Sequence, residues 1–105
     1  MKAAINGIRY DTAVARTIGT FDNLGKGAQS VEDQHYWNAT LYVTPIAGHY
    51  FLHGMGGRMT RFCWVNDDRG ERILPLSRDE AYEWAQRYLG HKTVERFFPD
   101  LIEKG

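Results

Sequence analysis

The chain has 105 residues, which is enough for one domain with a single hydrophobic core. Hydrophobic residues make up 43% and charged residues 25% of the sequence, as is usual for a globular protein, and the 3 Trp, 6 Tyr and 5 Phe disfavour disorder. The 13 basic and 13 acidic residues cancel, so the charge disfavours nonspecific binding to nucleic acid, which depends on neutralising phosphates. The same balance disfavours an acidic mimic of DNA.

Cys63 is the one cysteine of the sequence, so no intramolecular disulfide can form and a reducing compartment is expected. The N-terminal residues contain no apolar run of secretory-signal length, and no segment has the length and apolarity of a transmembrane helix. We therefore expect a cytoplasmic protein.

The N-terminal third of the sequence predicts three elements. Lys2–Tyr10 alternates apolar and polar residues around Asn6-Gly7, which indicates either one short strand or a tight two-stranded ribbon. Asp11 can cap a short helix over Thr12–Ile18, where apolar residues recur at helical spacing. Thr20–Gln34 is polar and glycine-containing, so we expect a long surface loop, with a binding loop as the alternative.

The segment Tyr36–His53 has the pattern of a β-hairpin with its turn at Pro45–Gly48. If the loop holds an even number of residues, one face of the hairpin is the candidate core, and the other is a polar and aromatic surface. The core face then carries Trp37, Ala39, Leu41, Val43, Tyr50 and Leu52, and the open face carries Tyr36, Asn38, Thr40, Tyr42, His49, Phe51 and His53.

Gly54–Arg58 is rich in glycine, which predicts a sharp turn or a close backbone approach rather than a phosphate cradle, since no Walker lysine follows. Met59–Asn66 is predicted as a third strand and Asn66–Gly70 as a turn. Arg72–Leu76 is predicted as a final short strand at a sheet edge, because Pro75 lacks an amide donor.

The C-terminal segment carries the clearest local signal. Ser77 and Glu80 form a capping box ahead of an amphipathic helix that Gly90 ends, and its apolar stripe comprises Ala81, Trp84, Ala85, Tyr88 and Leu89. A second short helix is predicted over His91–Phe98 and closed by Pro99. The elements together predict a single α+β domain over residues 1–105. Its small antiparallel sheet of about four strands packs against the C-terminal amphipathic helix plus short helices.

No constellation in the sequence indicates catalysis, a metal site or a cofactor. His49 and His53 would lie roughly 13 Å apart along a strand, too far for one zinc ion, and no zinc-binding spacing occurs. Cys63, between Phe62 and Trp64, is interpreted as a structural thiol. No nucleophile motif is present, so we expect no enzyme, although a site assembled from distant residues stays open.

A binding surface is the remaining functional signal. Arginine and aromatic residues, the types most often found as anchors in protein interfaces, are concentrated on the open hairpin face and in the segment that follows it. The alternatives are a solvated face neutralised by neighbouring acids, or a narrow RNA or DNA contact with stacked bases. The predicted partner-binding residues are Tyr42, Phe51, His53, Arg58, Arg61, Arg69 and Arg72.

Three segments, NGIRYDTAVARTIG, ATLYVTPIAGHYFLHGMGG and ILPLSRDEAYEWAQRYL, together resemble a family of small proteins carried by phages and other mobile elements. The resemblance covers most of the chain and is weakest over Thr20–Gln34. Ala39 and Met55 stand where that family has acidic residues, and His53 stands where it has an aromatic residue.

The resemblance implies a function by analogy, since small proteins of mobile elements often inhibit host defences and some are anti-CRISPR proteins. It implies a stoichiometric inhibitor in the host bacterial cytoplasm, bound to a host protein or ribonucleoprotein complex, with a CRISPR effector as the first partner to consider. The alternative is a small nucleic-acid-binding or regulatory accessory protein. A third hypothesis is a homodimer that pairs the exposed strand Arg72–Leu76.

Overall fold

The computed structural model describes residues 1–62 and 69–102, and for Arg69 the backbone alone. The described chain is an α+β fold with a four-stranded antiparallel sheet and its helices at the C-terminal end, as the sequence predicts, and it has a second sheet of two strands. The strands are β1 (Lys2–Ile5), β2 (Ile8–Asp11), β3 (Arg16–Asp22), β4 (Trp37–Val43), β5 (Tyr50–Gly57) and β6 (Arg69–Leu76). The helices are α1 (Arg78–Tyr88), α2 (His91–Phe97) and a 3₁₀ turn (Pro99–Leu101).

The larger sheet has the strand order β3-β4-β5-β6, and the predicted hairpin forms its centre. Val43 pairs with Tyr50 and Leu41 with Leu52, which confirms the predicted division of the hairpin into two faces. Inside the loop, the backbone N–H of Thr44 donates to the carbonyl of His49 at 2.8 Å. The core face points toward the helices, because Ala39, Leu41 and Leu52 share one buried cluster with residues of α1 and α2.

The N-terminal residues form the two-stranded ribbon, which settles the alternative that the sequence left open. Asn6 and Gly7 both have positive φ, of 52° and 78°, the combination that a tight hairpin turn requires. The ribbon lies on the sheet face opposite the helices. There Tyr10 packs edge-on against Phe51, and these two residues form a second buried cluster with Ile73.

The predicted helix over Thr12–Ile18 is wrong. Asp11 caps only one turn, in which its carboxylate accepts the N–H of Ala13 at 3.0 Å and its carbonyl accepts the N–H of Ala15 at 3.1 Å. The chain then enters β3, where β-branched residues and pairing with β4 outweigh the helical spacing of the apolar residues. A β-bulge between Thr17 and Gly19 accommodates the buried Ile18.

The predicted third strand over Met59–Asn66 is wrong over its described part, because Met59–Phe62 forms turns. Thr60 closes the first turn through its backbone N–H and its hydroxyl, which donate to the carbonyl of Gly57 at 3.0 and 2.8 Å. Residues 63–68, including the rest of that strand, Asp67 and Asp68, lie outside the described residues. The predicted edge strand exists as β6 and starts earlier than expected, at Arg69.

Both C-terminal helices occur where the sequence predicts them. The backbone N–H of Ser77 donates to the Glu80 carboxylate at 2.8 Å, and the N–H of Glu80 donates to the Ser77 hydroxyl at 3.1 Å, which completes the capping box. Burial of Trp84 stabilises the packing of α1 on the sheet by about 1.5–3 kcal/mol, the contribution expected of a large apolar side chain. The core also contains Ile18, Ala39, Leu41, Leu52, Phe62, Ala81, Ala85, Val94 and Phe98.

Candidate functional site

Asn23 fixes the loop that follows β3 to the start of β4. Its side chain is buried, and its Nδ2 group donates to the carbonyl of His35 at 2.8 Å while its Oδ1 accepts the N–H of Trp37 at 2.8 Å. Its backbone N–H also donates to the carbonyl of Trp37 at 3.1 Å. The loop predicted over Thr20–Gln34 is thus shorter than expected, since β3 continues to Asp22, and it is held by a buried amide.

The turn after β5 is joined to the same loop. The N–H of Gly57 donates to the carbonyl of Tyr36 at 2.8 Å, and the N–H of Met59 donates to the carbonyl of Gln34 at 3.0 Å. A Cβ atom at Gly57 would collide with the Gln34 backbone, so only glycine permits this approach. The close backbone approach that the glycines predict is therefore observed, and it brings Arg61 next to the start of β4.

A cluster of aromatic rings lies between these two loops and α1. The ring centroids of Trp37 and Tyr88 are 5.0 Å apart with planes at 83°, and those of Trp84 and Tyr88 are 5.2 Å apart at 51°. Phe21 joins the cluster 4.9 Å from Tyr88, and Phe62 lies 6.1 Å from Trp37. Tilted and edge-to-face rings at these distances attract one another beyond their burial alone.

The two loops and the aromatic cluster enclose an open pocket of about 380 Å³, which we call the aromatic pocket. Its base is formed by rings that the sequence assigns to the core, and its rim is formed by the two loops. Among the residues described here, its lining contains no carboxylate. The lining includes His35, Trp37, Met59, Arg61, Trp84 and Tyr88.

Three of the residues that line the pocket, Trp37, Trp84 and Tyr88, carry a polar N–H or O–H group. The indole N–H groups of Trp37 and Trp84 and the hydroxyl of Tyr88 donate to no other described residue. No fully buried side-chain nitrogen or oxygen atom among the described residues lacks a hydrogen-bond partner.

Arg61 is exposed at the rim and is the principal charge of the pocket. Its guanidinium lies 5.9 Å from the ring of Phe62, and its carbonyl accepts a hydrogen bond from Arg72 at 3.4 Å. A neighbouring cleft of about 250 Å³ shares Arg61 with the pocket, and its other charged lining residues are Glu80, Glu83 and Arg87. Capping by Ser77 lowers the pKa of Glu80, and the Arg61 charge adds a smaller lowering.

His35 stands at the opposite rim beside Asp33. The Nδ1 atom of His35 lies 3.3 Å from the Asp33 carboxylate. Donation from the backbone N–H of His35, and from that of Gln29, lowers the pKa of Asp33 below its ordinary value. Asp33 therefore stays ionised, and its carboxylate accepts hydrogen bonds from its own loop.

The predicted partner-binding residues whose side chains the structure describes do not lie on one surface. Phe51 is fully buried beneath the N-terminal ribbon, so its predicted exposure is wrong. Tyr42 is half-buried and stacks on Phe51 at 5.2 Å. On the same face, Nε2 of His53 lies 2.7 Å from the Glu71 carboxylate.

The predicted arginines lie on other parts of the molecule. Arg72 pairs with Gly54, two residues along from the pair of Leu74 and Leu52. Arg72 therefore lies on the same face of the sheet as Leu52, which is the face that packs against the helices. Its hydrogen bond to Arg61 places these two arginines together. Arg58 is exposed in the turn after β5, and Arg69 begins β6 opposite Gly57. The sequence thus predicts Arg61 at the site, but not the rings of Trp37, Trp84 and Tyr88.

The described residues contain no group of three or more His, Cys, Asp or Glu side chains placed to hold one metal ion. His49 is exposed in the loop before β5, and His53 is engaged with Glu71. Cys63 lies outside the described residues. No described helix combines the length and apolarity needed to span a bilayer.

Comparisons of this chain with protein-family models, with curated proteins and with solved structures find no match.

Proposed function

We propose that this protein is a binding protein that docks on a macromolecular partner through the aromatic pocket and acts by occupancy rather than turnover. The observation that carries the proposal is the pocket itself, which the rings of Trp37, Trp84 and Tyr88 line together with the exposed Arg61. Tryptophan, tyrosine and arginine are the residue types that dominate the binding energy of protein interfaces.

The rim of the pocket has the composition of an interface. Met59 is 61% exposed next to Arg61, so a flexible apolar side chain and a guanidinium stand side by side at the entrance. Arg58 is exposed in the same turn. Methionine adapts to irregular partner surfaces, and arginine adds directional pairing with carboxylates. A partner would thus bury its anchor in the pocket and cover the turn.

The resemblance to proteins of phages and other mobile elements selects the partner class to test first. A stoichiometric inhibitor of a host defence system, of the anti-CRISPR kind, would bind a CRISPR effector or a related defence complex. Equal numbers of acidic and basic residues argue for blocking a protein surface or a conformational step over mimicry of DNA.

A small nucleic-acid-binding or regulatory accessory protein is the second candidate, and one observation favours it. Lys26 lies 5.2 Å from the ring of Phe21, and Arg87 lies 5.5 Å from the ring of Tyr88, so further cations border the aromatic cluster. Aromatic rings flanked by cations can stack the bases of a single strand.

The test of inhibition is a plasmid-protection assay in bacteria that carry defined CRISPR systems, paired with copurification of the purified effector complexes. We expect protection and copurification to be lost in Arg61→Glu and Met59→Asp, two substitutions of exposed rim residues. Arg9→Glu is the matched control, since Arg9 is exposed on the N-terminal ribbon and its substitution changes the net charge equally.

Two outcomes of that assay would contradict the proposal. The first is the absence of inhibition of any tested system together with the absence of bound effector. The second is equal activity of the rim variants and Arg9→Glu, since binding would then use another surface.

A further inference from the structure

We propose that Arg16 and Arg96 form a binding site for a phosphate monoester beside the ring of Phe97. The site shares no lining residue with the aromatic pocket, so this inference does not rest on the proposed function. It follows from three observations. Two cations converge on one ring, neither has an acidic partner among the described residues, and together they offer more donors than one carboxylate can use.

The fold brings these two arginines together from distant parts of the sequence. Arg16 begins β3 at the margin of the larger sheet, and Arg96 lies in the last turn of α2, which contacts β3. The guanidinium carbon of Arg16 lies 4.7 Å from the ring centroid of Phe97, and that of Arg96 lies 5.4 Å from the same centroid. The two groups are therefore no farther apart than the sum of these distances, which is about one Debye length at an ionic strength of about 0.1 M.

The two positive charges are not neutralised by the part of the chain that the structure describes. Neither guanidinium group forms an ion pair or a hydrogen bond with a described residue. Glu95, which precedes Arg96, is held instead by His91 at 2.8 Å. Lys92 is exposed one turn before Arg96 and adds a third cation to this side of α2. Like charges at short distance repel one another, so a bound anion would remove an unfavourable interaction.

The ring of Phe97 holds the guanidinium groups in place and leaves donors for a ligand. The ring attracts each cation through its quadrupole, and a guanidinium group has more N–H donors than a ring contact can occupy. Phe97 is itself half-buried and packs against the main core, so the ring is a fixed support. Side chains ordered in this way lose less entropy when an anion binds.

The number of donors favours a phosphate over a carboxylate. Arg78 shows what one carboxylate requires, since both oxygens of Asp100 accept hydrogen bonds from this single guanidinium group at 2.6 Å. Two guanidinium groups and Lys92 offer more donors and more charge than that. A phosphate monoester carries several strong acceptor oxygens and a charge of about −1.5 to −2 at neutral pH, and guanidinium groups bind it through paired hydrogen bonds.

The charge of the chain favours a monoester over a nucleic-acid strand. A polynucleotide is a chain of singly charged diesters, and tight binding of it requires a row of cations. The site offers cations on only two elements, and the sequence as a whole has 13 basic and 13 acidic residues. One doubly charged group therefore suits the site better than a strand.

The test is an NMR titration of the arginine Nε–H signals with phosphate probes at constant ionic strength. We expect N-acetyl-O-phosphoserine amide to shift the signals of Arg16 and Arg96, and dimethyl phosphate, a singly charged diester, to bind at least about tenfold more weakly. Arg16→Gln and Arg96→Gln should each weaken the binding of the phosphoserine probe by about tenfold. Arg9→Gln, which replaces an exposed arginine of the ribbon, is the control and should leave it unchanged. The unliganded spectra of the variants report whether the fold is intact.

Equal binding of the two probes, an equal loss in Arg9→Gln, or the absence of shifts at Arg16 and Arg96 would overturn the inference. Adenosine monophosphate is a second monoester probe, and tighter binding of it than of the phosphoserine probe would support the site and identify a nucleotide as the source of the group. The reverse order would support the site and identify a phosphorylated side chain. Tighter binding of a thymidylate oligonucleotide than of either monoester would overturn the inference in favour of nucleic acid.

Discussion

Phe51 shows how one residue changes its role once the whole chain is folded. Its place on the hairpin face opposite the core predicts exposure, yet the N-terminal ribbon covers it and Tyr10 packs on its ring at 5.2 Å. Nothing within Tyr36–His53 encodes that cover, because it arrives from residues far away in the sequence. The predicted alternation of faces is confirmed, whereas the exposure of this ring is not.

At this scale we expect Phe51→Ala to lower the free energy of unfolding by about 3–5 kcal/mol, since it removes a fully buried ring between the ribbon and the sheet. Met55→Ala is the control, because Met55 lies on the same strand and is 45% exposed, and we expect a change of about 0.5 kcal/mol or less. Urea denaturation measures both. A near-neutral Phe51→Ala would contradict the burial of Phe51 by the ribbon.

Pocket residues show the limit of sequence reasoning in another way. Arg61 is predicted as a binding residue because arginine and aromatic residues are concentrated around it. Trp37 and Trp84 are predicted as core, and their rings do pack in the core while both residues also line the aromatic pocket. A tryptophan is large enough to pack in the core and also to line a cavity, and only the meeting of β4, α1 and the turn after β5 forms that cavity.

At the scale of elements, the parts predicted from sequence are those with local signals. The capping box of Ser77 and Glu80, which spans only four residues, determines where α1 begins. The turn near Gly48 determines where the hairpin reverses. The segment Thr12–Ile18 offers a helix cap and helical spacing, but its structure is decided by pairing with β4. Nonlocal pairing of this kind cannot be read from a window of seven residues.

The element scale also carries a pH dependence. Arg78, at the start of α1, holds the Asp100 carboxylate of the 3₁₀ turn through two hydrogen bonds of 2.6 Å, and this lowers the pKa of Asp100. A carboxylate with a lowered folded pKa stabilises the fold above its ordinary value of 3.8. That contribution is lost as pH falls through the lowered pKa.

We therefore expect Asp100→Asn to reduce the loss of thermal stability that acidification causes around and below that value. The measurement is the thermal midpoint across a series of pH values, followed by circular dichroism. Glu83→Gln is the control, since Glu83 is exposed on α1 and is not part of this pair. Parallel curves for Asp100→Asn and Glu83→Gln would contradict the contribution of the pair.

At the scale of the whole molecule, charge separates the two functional candidates. The sequence has 13 basic and 13 acidic side chains, and the cations near the aromatic cluster are accompanied by Glu80 and Glu83. Nucleic-acid affinity of a single-strand binder falls with salt in proportion to the phosphates it neutralises. The affinity of a protein that neutralises few phosphates therefore depends only weakly on salt concentration.

We expect the protein to elute from heparin at low salt, and its affinity for a single-stranded oligonucleotide to follow a logarithmic salt slope of about −2 or shallower. The slope is measured by fluorescence anisotropy over a series of salt concentrations. Strong heparin retention with a steep slope would contradict this expectation and favour the nucleic-acid alternative.

The outer strands of the larger sheet differ from its two central ones in a way that bears on handling the protein at high concentration. β3 carries a bulge at Thr17–Gly19, and β6 carries Pro75, which has no N–H to offer a further strand. Irregular margins of this kind discourage edge-to-edge aggregation. Replacing Pro75 with valine would restore an amide donor on this edge strand. We expect the substitution to raise the risk of fibril growth although the chain still folds.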